Sequence, residues 1–293
     1  MADIDNDTDL DIILQGQNSA NKGSTLVYTN DGQGEFTKKR QNNLIGMYDS
    51  VLAAGDIDND GNIDLISAGK INAVTYETAI YLGDGTGGFS QTNEGIIYPI
   101  NRGDLKLGDI DSDGDLDLII IGGKSGGRVG SIYENEGDGF FIEINIGDIE
   151  PVIDGSLDLG DVDNDGDLDI ILCGGKKGGS RFTRLYMNNG DGSFKENDSD
   201  FINVFSGDVH FGDIDGDGYL DLFVSGNSLQ GTIVRAYLND GSGYYDEVEI
   251  SGIFQVYQSE IELFDINNDE KIDLVITGLD SSYKRKTRIY RNN

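Results

Sequence analysis

The chain has 293 residues, with 54 Asp and Glu against 21 Lys and Arg and a formal net charge of -33. Such a surface repels phosphate, which argues against wrapping nucleic acid or lying on an anionic membrane, yet 37% hydrophobic residues is too much core-forming material for a disordered acidic chain. Cys173 and His210 are the single residues of their types, which removes an intramolecular disulfide framework, a zinc cluster and most His-based catalysis.

In chain order, DIDNDTDLD begins at Asp3 and recurs as DIDNDGNID at Asp56, DIDSDGDLD at Asp109, DVDNDGDLD at Asp161, DIDGDGYLD at Asp213 and DINNDEKID at Asp265, at spacings of 53, 53, 52, 52 and 52. Each copy predicts four short strands. Strand one is the alternating piece ahead of the Asp loop, as in LKLGD, LDLGD, VHFGD and IELFD, and strand two is the apolar run behind it. A glycine closes strand two in every copy, at Gly16, Gly69, Gly122, Gly174, Gly226 and Gly278. Strand three ends at Tyr28, Tyr81, Tyr133, Tyr186, Tyr237 and Tyr290. In the first five copies a Gly-rich turn then leads to strand four at Phe36, Phe89, Phe141, Phe194 or Tyr245. The near-continuous run Leu116, Leu118, Ile119, Ile120, Ile121 fits a strand covered on both faces.

Four strands repeating at this period are the signature of a β-propeller blade, so the expected fold is all-β, a propeller of four-stranded blades with six repeats visible and a ring of six or seven. Residues 1–293 are expected to form one propeller domain. Six full units would need about 315 residues, and the first and last blades are therefore incomplete, lacking one strand one and one strand four. A fragment of a larger protein, or a ring closed by segments outside this chain, is the expectation. No apolar run reaches the roughly 18 residues that span a bilayer, and no basic segment followed by an apolar stretch opens the chain, so a soluble chain without direct membrane insertion is expected.

Spacing within the loops carries the chemistry. In the second copy, carboxylates fall at positions 1, 3, 5 and 9, as Asp56, Asp58, Asp60 and Asp64, with Gly61 supplying a left-handed turn at position 6 and the backbone carbonyl of Asn62 available at position 7. The equivalent sets are Asp3, Asp5, Asp7, Asp9 and Asp11; Asp109, Asp111, Asp113, Asp115 and Asp117; Asp161, Asp163, Asp165, Asp167 and Asp169; Asp213, Asp215, Asp217, Tyr219 and Asp221; and Asp265, Asn267, Asp269, Lys271 and Asp273. An all-oxygen cage without His or Cys selects Ca2+. An EF-hand is excluded, since position 12 is Ser67 rather than Glu and strands flank the loop. A single acidic turn would ordinarily be solvated surface; six in register argue for metal. Thr8 at position 6 of the first loop, and Asn267 and Glu270 at positions 3 and 6 of the sixth, predict less complete coordination there. The four central sites are expected to bind, with six as the upper limit.

The D-x-D-x-D-G-x-x-D loop, the LDLII strand and the NDGxGxF hairpin together resemble FG-GAP or VCBS repeats, as in the propeller of integrin α subunits, some fungal and bacterial lectins and many microbial surface proteins. The Phe-Gly-Gly-Ala-Pro string behind the family name is absent. The resemblance covers essentially the whole chain. It implies calcium at the Asp loops and a non-enzymatic recognition or adhesion module, extracellular or on the cell surface, binding a protein or glycan ligand. A lectin propeller is the first alternative, and the second is a structural subunit that self-associates through open strand edges.

Chain direction places the Asp loops and the Gly-rich hairpins on one face, and the turns between strands two and three on the other. Thirteen of the 21 basic residues, Lys22, Lys70, Lys124, Arg128, Lys176, Lys177, Arg181, Arg184, Arg235, Lys284, Arg285, Lys286 and Arg288, lie between strand two and the Tyr. That second face suits an anionic or hydroxyl-rich ligand, although offsetting neighbouring acids would explain the bases equally well. His210 stands where Lys106, Asp158 and Glu262 stand in other copies and reads as an ordinary polar position. Cys173 reads as a small residue at a strand end.

Overall fold

A computed structural model describes residues 1–41, 43–92, 97–144 and 149–292. Among these every regular element is a strand, and the strands fall into two compact units.

The first unit, Met1–Asp109 with Asp113–Asn145, contains three sheets. They are β1 (Ile12–Gln17), β2 (Gly23–Asn30) and β3 (Phe36–Lys39); β4 (Tyr48–Gly55), β5 (Asp64–Lys70), β6 (Tyr76–Gly83) and β7 (Phe89–Thr92); and β8 (Asn101–Gly108), β9 (Asp117–Lys124), β10 (Gly127–Asn135) and β11 (Phe141–Ile144). The second unit, Ile110–Ser112 with Ile146–Asn293, contains β12 (Leu157–Gly160), β13 (Asp169–Gly175), β14 (Arg181–Asn188) and β15 (Phe194–Glu196); β16 (Phe205–Gly212), β17 (Asp221–Ser228), β18 (Gly231–Asn239) and β19 (Tyr245–Val248); and β20 (Tyr257–Phe264), β21 (Asp273–Leu279) and β22 (Arg285–Tyr290). Every sheet is an antiparallel meander in sequence order, one per repeat, which is the blade of a β-propeller. Among the described residues the first sheet has no strand ahead of its Asp loop and the last has none after its Tyr, so both are three-stranded.

The apolar runs serve two cores by strand alternation. Leu65 of β5 packs with Ile4, Val27, Met47 and Tyr81, whereas its neighbour Ile66 packs with Ile57, Ile100, Leu118 and Tyr133. In β17, Leu222 and Val224 join the cluster of Ile171, Leu185 and Phe201, and Phe223 between them joins Val234, Ile261 and Ile276. A strand covered on both faces needs apolar residues at successive positions, and each side chain so buried contributes about 1.5–3 kcal/mol. Leu118 through Ile121 are fully buried.

The recurrent Tyr at the end of strand three has a second task. The Tyr81 hydroxyl accepts a hydrogen bond from the backbone N–H of Ile45 at 3.0 Å, Tyr133 from Tyr98 at 3.0 Å, Tyr186 from Glu150 at 3.3 Å, Tyr237 from Ile202 at 3.0 Å and Tyr290 from Phe254 at 3.0 Å. Each Tyr thereby ties down the segment that crosses into its blade by satisfying a part-buried backbone donor.

Strand one carries a bulge that the alternation pattern does not reveal. The ladder shifts between Tyr48 and Val51, Asn101 and Asp104, Phe205 and Asp208, and Tyr257 and Glu260, with Asp49, Arg102, Ser206 and Gln258 at positive φ. The next residue is pressed against strand two: at Gly207 a Cβ would meet the carbonyl oxygen of Ser225 and the Cα of Gly226. A Cβ at Gly69, Gly174, Gly226 or Gly278, closing strand two, would come within 3.0 Å of the facing segment, whereas at Gly16, with no strand one opposite, it would meet nothing within 4 Å.

Candidate metal centres

Each Asp loop is a nine-residue wrap with left-handed backbone at positions 4 and 6. Position 4 is Asn6, Asn59, Ser112, Asn164, Gly216 or Asn268, and position 6 is Thr8, Gly61, Gly114, Gly166, Gly218 or Glu270, all at positive φ. Thr8 at φ 77° and Glu270 at φ 67° hold a conformation that glycine adopts freely and a β-branched residue resists.

The wrap is closed by its own carboxylates. Asp56 at position 1 accepts the backbone N–H of Asp60 at 3.1 Å and of Gly61 at 2.9 Å. The same bonds recur from Asp3 to Asp7 and Thr8, from Asp109 to Asp113 and Gly114, from Asp161 to Asp165 and Gly166, from Asp213 to Asp217 and Gly218, and from Asp265 to Asp269 and Glu270. At position 9 the carboxylate is buried and clasps two backbone donors. Asp64 accepts Ile57 N–H at 2.9 Å on Oδ2 and Gly83 N–H at 2.7 Å on Oδ1; Asp169 accepts Val162 N–H at 3.0 Å and Asn188 N–H at 2.8 Å. Asp11, Asp221 and Asp273 do likewise.

Positions 1, 3 and 9 converge. In Asp3, Asp5 and Asp11; Asp56, Asp58 and Asp64; Asp109, Asp111 and Asp117; Asp161, Asp163 and Asp169; and Asp213, Asp215 and Asp221, one carboxylate oxygen of each lies within 4.8 Å of the others. The first loop forms the same triad as the central ones despite Thr8, because the wrap tolerates the strained residue. In the sixth loop Asn267 leaves only Asp265 and Asp273 at those positions.

Position 5 stands beside the triads, where the Asp60 carboxylate bears on Asp58 and Asp64, and Asp165 on Asp163 and Asp169. Asp60 also accepts the backbone N–H of Asn62 at 2.8 Å, and Asp7, Asp113, Asp165, Asp217 and Asp269 accept that of Asp9, Asp115, Asp167, Tyr219 and Lys271. At position 7, Asn62 Oδ1 accepts from Asn6 at 2.9 Å, Asp115 from Asn59 at 2.6 Å and Asp167 from the Ser112 hydroxyl at 3.3 Å, so these side chains bind the preceding loop.

The electrostatics match an ion-binding cage. Burial pushes Asp5, Asp58 and Asp163 above the usual carboxylate range, with neighbouring carboxylates adding to the rise. Burial likewise pushes Asp64 up to about 6 and Asp169 up to about 7, against the pull of their backbone donors. Oδ1 of Asp5, Asp58 and Asp163 is buried with no hydrogen-bond partner. A buried carboxylate oxygen without a donor, facing two other carboxylates, fits a hard cation with oxygen ligands, and Ca2+ is the cation this donor set suits. Bound there, it would supply the positive charge that three converging carboxylates lack.

One recurring residue escaped the sequence reading. Asn135 Nδ2 donates to the carbonyls of Ile57 at 2.9 Å and Leu116 at 3.1 Å, Asn188 to Ile110 at 2.7 Å and Leu168 at 3.2 Å, and Asn239 to Val162 at 2.7 Å and Leu220 at 3.1 Å. Asn292 donates to Ile214 at 2.8 Å. Each amide stitches one Asp loop to the loop before it. The available signal was an Asn directly ahead of the Gly-rich hairpin, which reads as ordinary turn chemistry.

His210 Nδ1 lies 3.3 Å from Asp158 Oδ2, an oxygen that also accepts the Phe211 N–H at 2.9 Å, and Cys173 is buried in β13.

Comparison with known proteins places this geometry. Among curated proteins, a T-cell immunomodulatory protein homolog of Plasmodium yoelii yoelii is 25% identical over 321 residues, covering 95% of this chain and 43% of its own length. The chain thus spans less than half of that relative. Among solved structures, a chain of RAG in complex with one melted and one unmelted RSS aligns over 83% of this chain and 81% of its own, at 10% identity and a TM-score of 0.46. The V. cholerae biofilm matrix protein Bap1 aligns over 98% and 51%, at 16% identity and a TM-score of 0.42. The pattern described as FG-GAP-like repeat matches residues 3–67, 56–120, 109–172, 161–224 and 213–276. Each match spans two consecutive Asp loops and the blade strands between them, and together they run unbroken through all six loops, so this chain belongs to the FG-GAP-like repeat family.

Proposed function

We propose that the chain is a calcium-stabilised recognition or adhesion module of an extracellular or cell-surface protein, integrin α-like in its propeller, that binds a protein or glycan ligand without catalysis. The observation that carries this reading is the fivefold recurrence of an Asp triad within 4.8 Å, three of whose members hold a buried Oδ1 without a donor. Such triads repel without a cation and become cross-links with one. Sites of about 0.1 mM affinity add about 1.4 kcal/mol each at millimolar calcium, so four to six of them contribute about 6 to 8 kcal/mol. That concentration of calcium is extracellular, which supports the location, as does the likeness to an immunomodulatory protein homolog. Against catalysis stand the single His210, engaged by Asp158, and acids concentrated in the loops.

The test is thermal melting in 2 mM CaCl2 and in EDTA, with calorimetric titration of calcium. A drop of at least about 10 °C on chelation is expected for a domain of this size. An unchanged melt, or no calcium heat, overturns the reading.

A further inference from the structure

The second unit holds a cavity of about 710 Å3 between the turn after β13, the turn after β17 and the segment crossing from β15 to β16. That volume falls within the range of small-ligand sites, about 300–1,000 Å3. Its lining carries four charged side chains, Arg181, Arg235, Asp200 and Glu247. Two of them neutralise each other, since Arg235 Nε lies 2.9 Å from Glu247 Oε1. The arginine at the same place in the preceding blade, Arg184, is paired in the same way with Glu196 at 2.8 Å.

Arg181 differs. Its Nε donates to the carbonyl of Asn227 at 2.8 Å and its Nη2 to Asn227 Oδ1 at 2.9 Å, and its guanidinium lies 5.0 Å from the centre of the Phe205 ring. No carboxylate pairs with it among the described residues. In a chain of net charge -33, an arginine locked in place at a cavity wall and left without an acid is a preorganised seat for one anionic group. The remaining chemistry limits what else the ligand carries. Asp200 only accepts hydrogen bonds and repels further negative charge, so the rest of the ligand should present donors and no second acid. Leu229, 90% exposed on the same lining, offers an apolar surface. A pyranose ring has hydroxyl donors, an apolar C–H face and room for a single carboxylate. An acidic peptide has the carboxylates without the hydroxyls.

We infer that this cavity binds a carboxylate-bearing sugar of the uronic acid class, its carboxylate on the free edge of the Arg181 fork and its hydroxyls on Asp200 and the surrounding turns. The inference rests on the recognition reading above and gives its ligand a class. The experiment is an NMR titration of the calcium-loaded full chain with methyl β-D-glucuronide, methyl β-D-glucoside and an acetylated, amidated Glu-Glu dipeptide. The glucuronide should bind saturably, at least about tenfold more tightly than the other two. Arg181→Gln should reduce it to the glucoside's level, while Arg285→Gln, exposed on the last sheet and outside the cavity lining, should leave it unchanged. Should Arg181→Gln melt below the working temperature, Arg181→Lys keeps the charge and loses the fork, and a loss of about tenfold is expected there as well. No glucuronide binding, equal binding of both sugars, tighter binding of the dipeptide, or full affinity in the Arg181 variant overturns the inference. Calcium titration of the same samples separates the two readings: a calcium-stabilised chain that ignores the glucuronide sinks the uronate site alone.

Discussion

Replacing Asn239 with Ala removes one loop-to-loop stitch and tests whether these amides or the apolar cores hold neighbouring blades in register. Asn239 Nδ2 serves two carbonyls, Val162 at 2.7 Å and Leu220 at 3.1 Å, and its Oδ1 accepts the Gly241 N–H at 3.1 Å. The side chain is 4% exposed, so water replaces it poorly; the Val162 carbonyl loses this donor, while the Leu220 carbonyl keeps the Tyr245 hydroxyl at 2.8 Å. A buried group left unsatisfied costs about 1–3 kcal/mol, and the substitution should cost about that much. For a cooperative unit of this size each kcal/mol lowers Tm by about 2–4 °C, giving a drop of about 2–12 °C. The assay is thermal melting by circular dichroism, in calcium and in EDTA, because the stitch does not involve the metal and its loss should appear in both. Asn189→Ala is the control: its amide bonds Ser193 in an exposed hairpin, and a change within about 0.5 kcal/mol is expected. An Asn239 variant that melts within 1 °C of the parent would refute the reasoning.

Three further outcomes are expected. Asp163→Asn should remove one calcium from the titration and lower Tm in calcium, yet leave Tm in EDTA unchanged or higher, because it removes a carboxyl raised by burial first and by its neighbouring carboxylates second; a lower Tm in EDTA would contradict this. Thr8→Gly, at φ 77°, should stabilise the first unit by about 1 kcal/mol, read from its urea midpoint, and no shift would show that the left-handed strain is absorbed elsewhere. For pH, Asp64 at about 6 and Asp169 at about 7 in the folded state lie above the usual carboxylate value of 3.8. The folded chain therefore holds protons that the unfolded chain releases, and their contribution to stability is present below about pH 4 and is lost as pH rises through about 6 to 7. Calcium-free protein should thus melt higher at pH 5 than at pH 7.5, calcium should reverse that order, and the opposite ranking in the calcium-free samples would count against the burial of these two carboxyls.

Much of the candidate site was legible because its chemistry is local. Six loops with Asp at fixed offsets, and a left-handed position 6 filled by Gly61, Gly114, Gly166 and Gly218, are properties of nine consecutive residues, and the structure keeps that wrap even where Thr8 and Glu270 stand. What the offsets could not distinguish was the work of each acid. Asp60 and its equivalents bind the backbone two residues on, while Asp64 and its equivalents face both the triad and two backbone donors, one of them on the far end of strand three.

The sequence by itself determined an all-β chain of repeating four-stranded meanders, since period-two alternation, turn glycines and the spacing of the repeats are all written along one dimension. Only the tertiary structure decided which partners those residues meet. Asn135 lies 78 residues from Ile57, and the Tyr237 hydroxyl 35 from the Ile202 N–H it accepts, contacts that exist only when one blade packs against the next. Arg181 and Arg235 look alike as sequence; one has a glutamate across the strand and the other has none, and that difference in surroundings, rather than residue type, leaves a cation on the wall of a cavity in so acidic a chain.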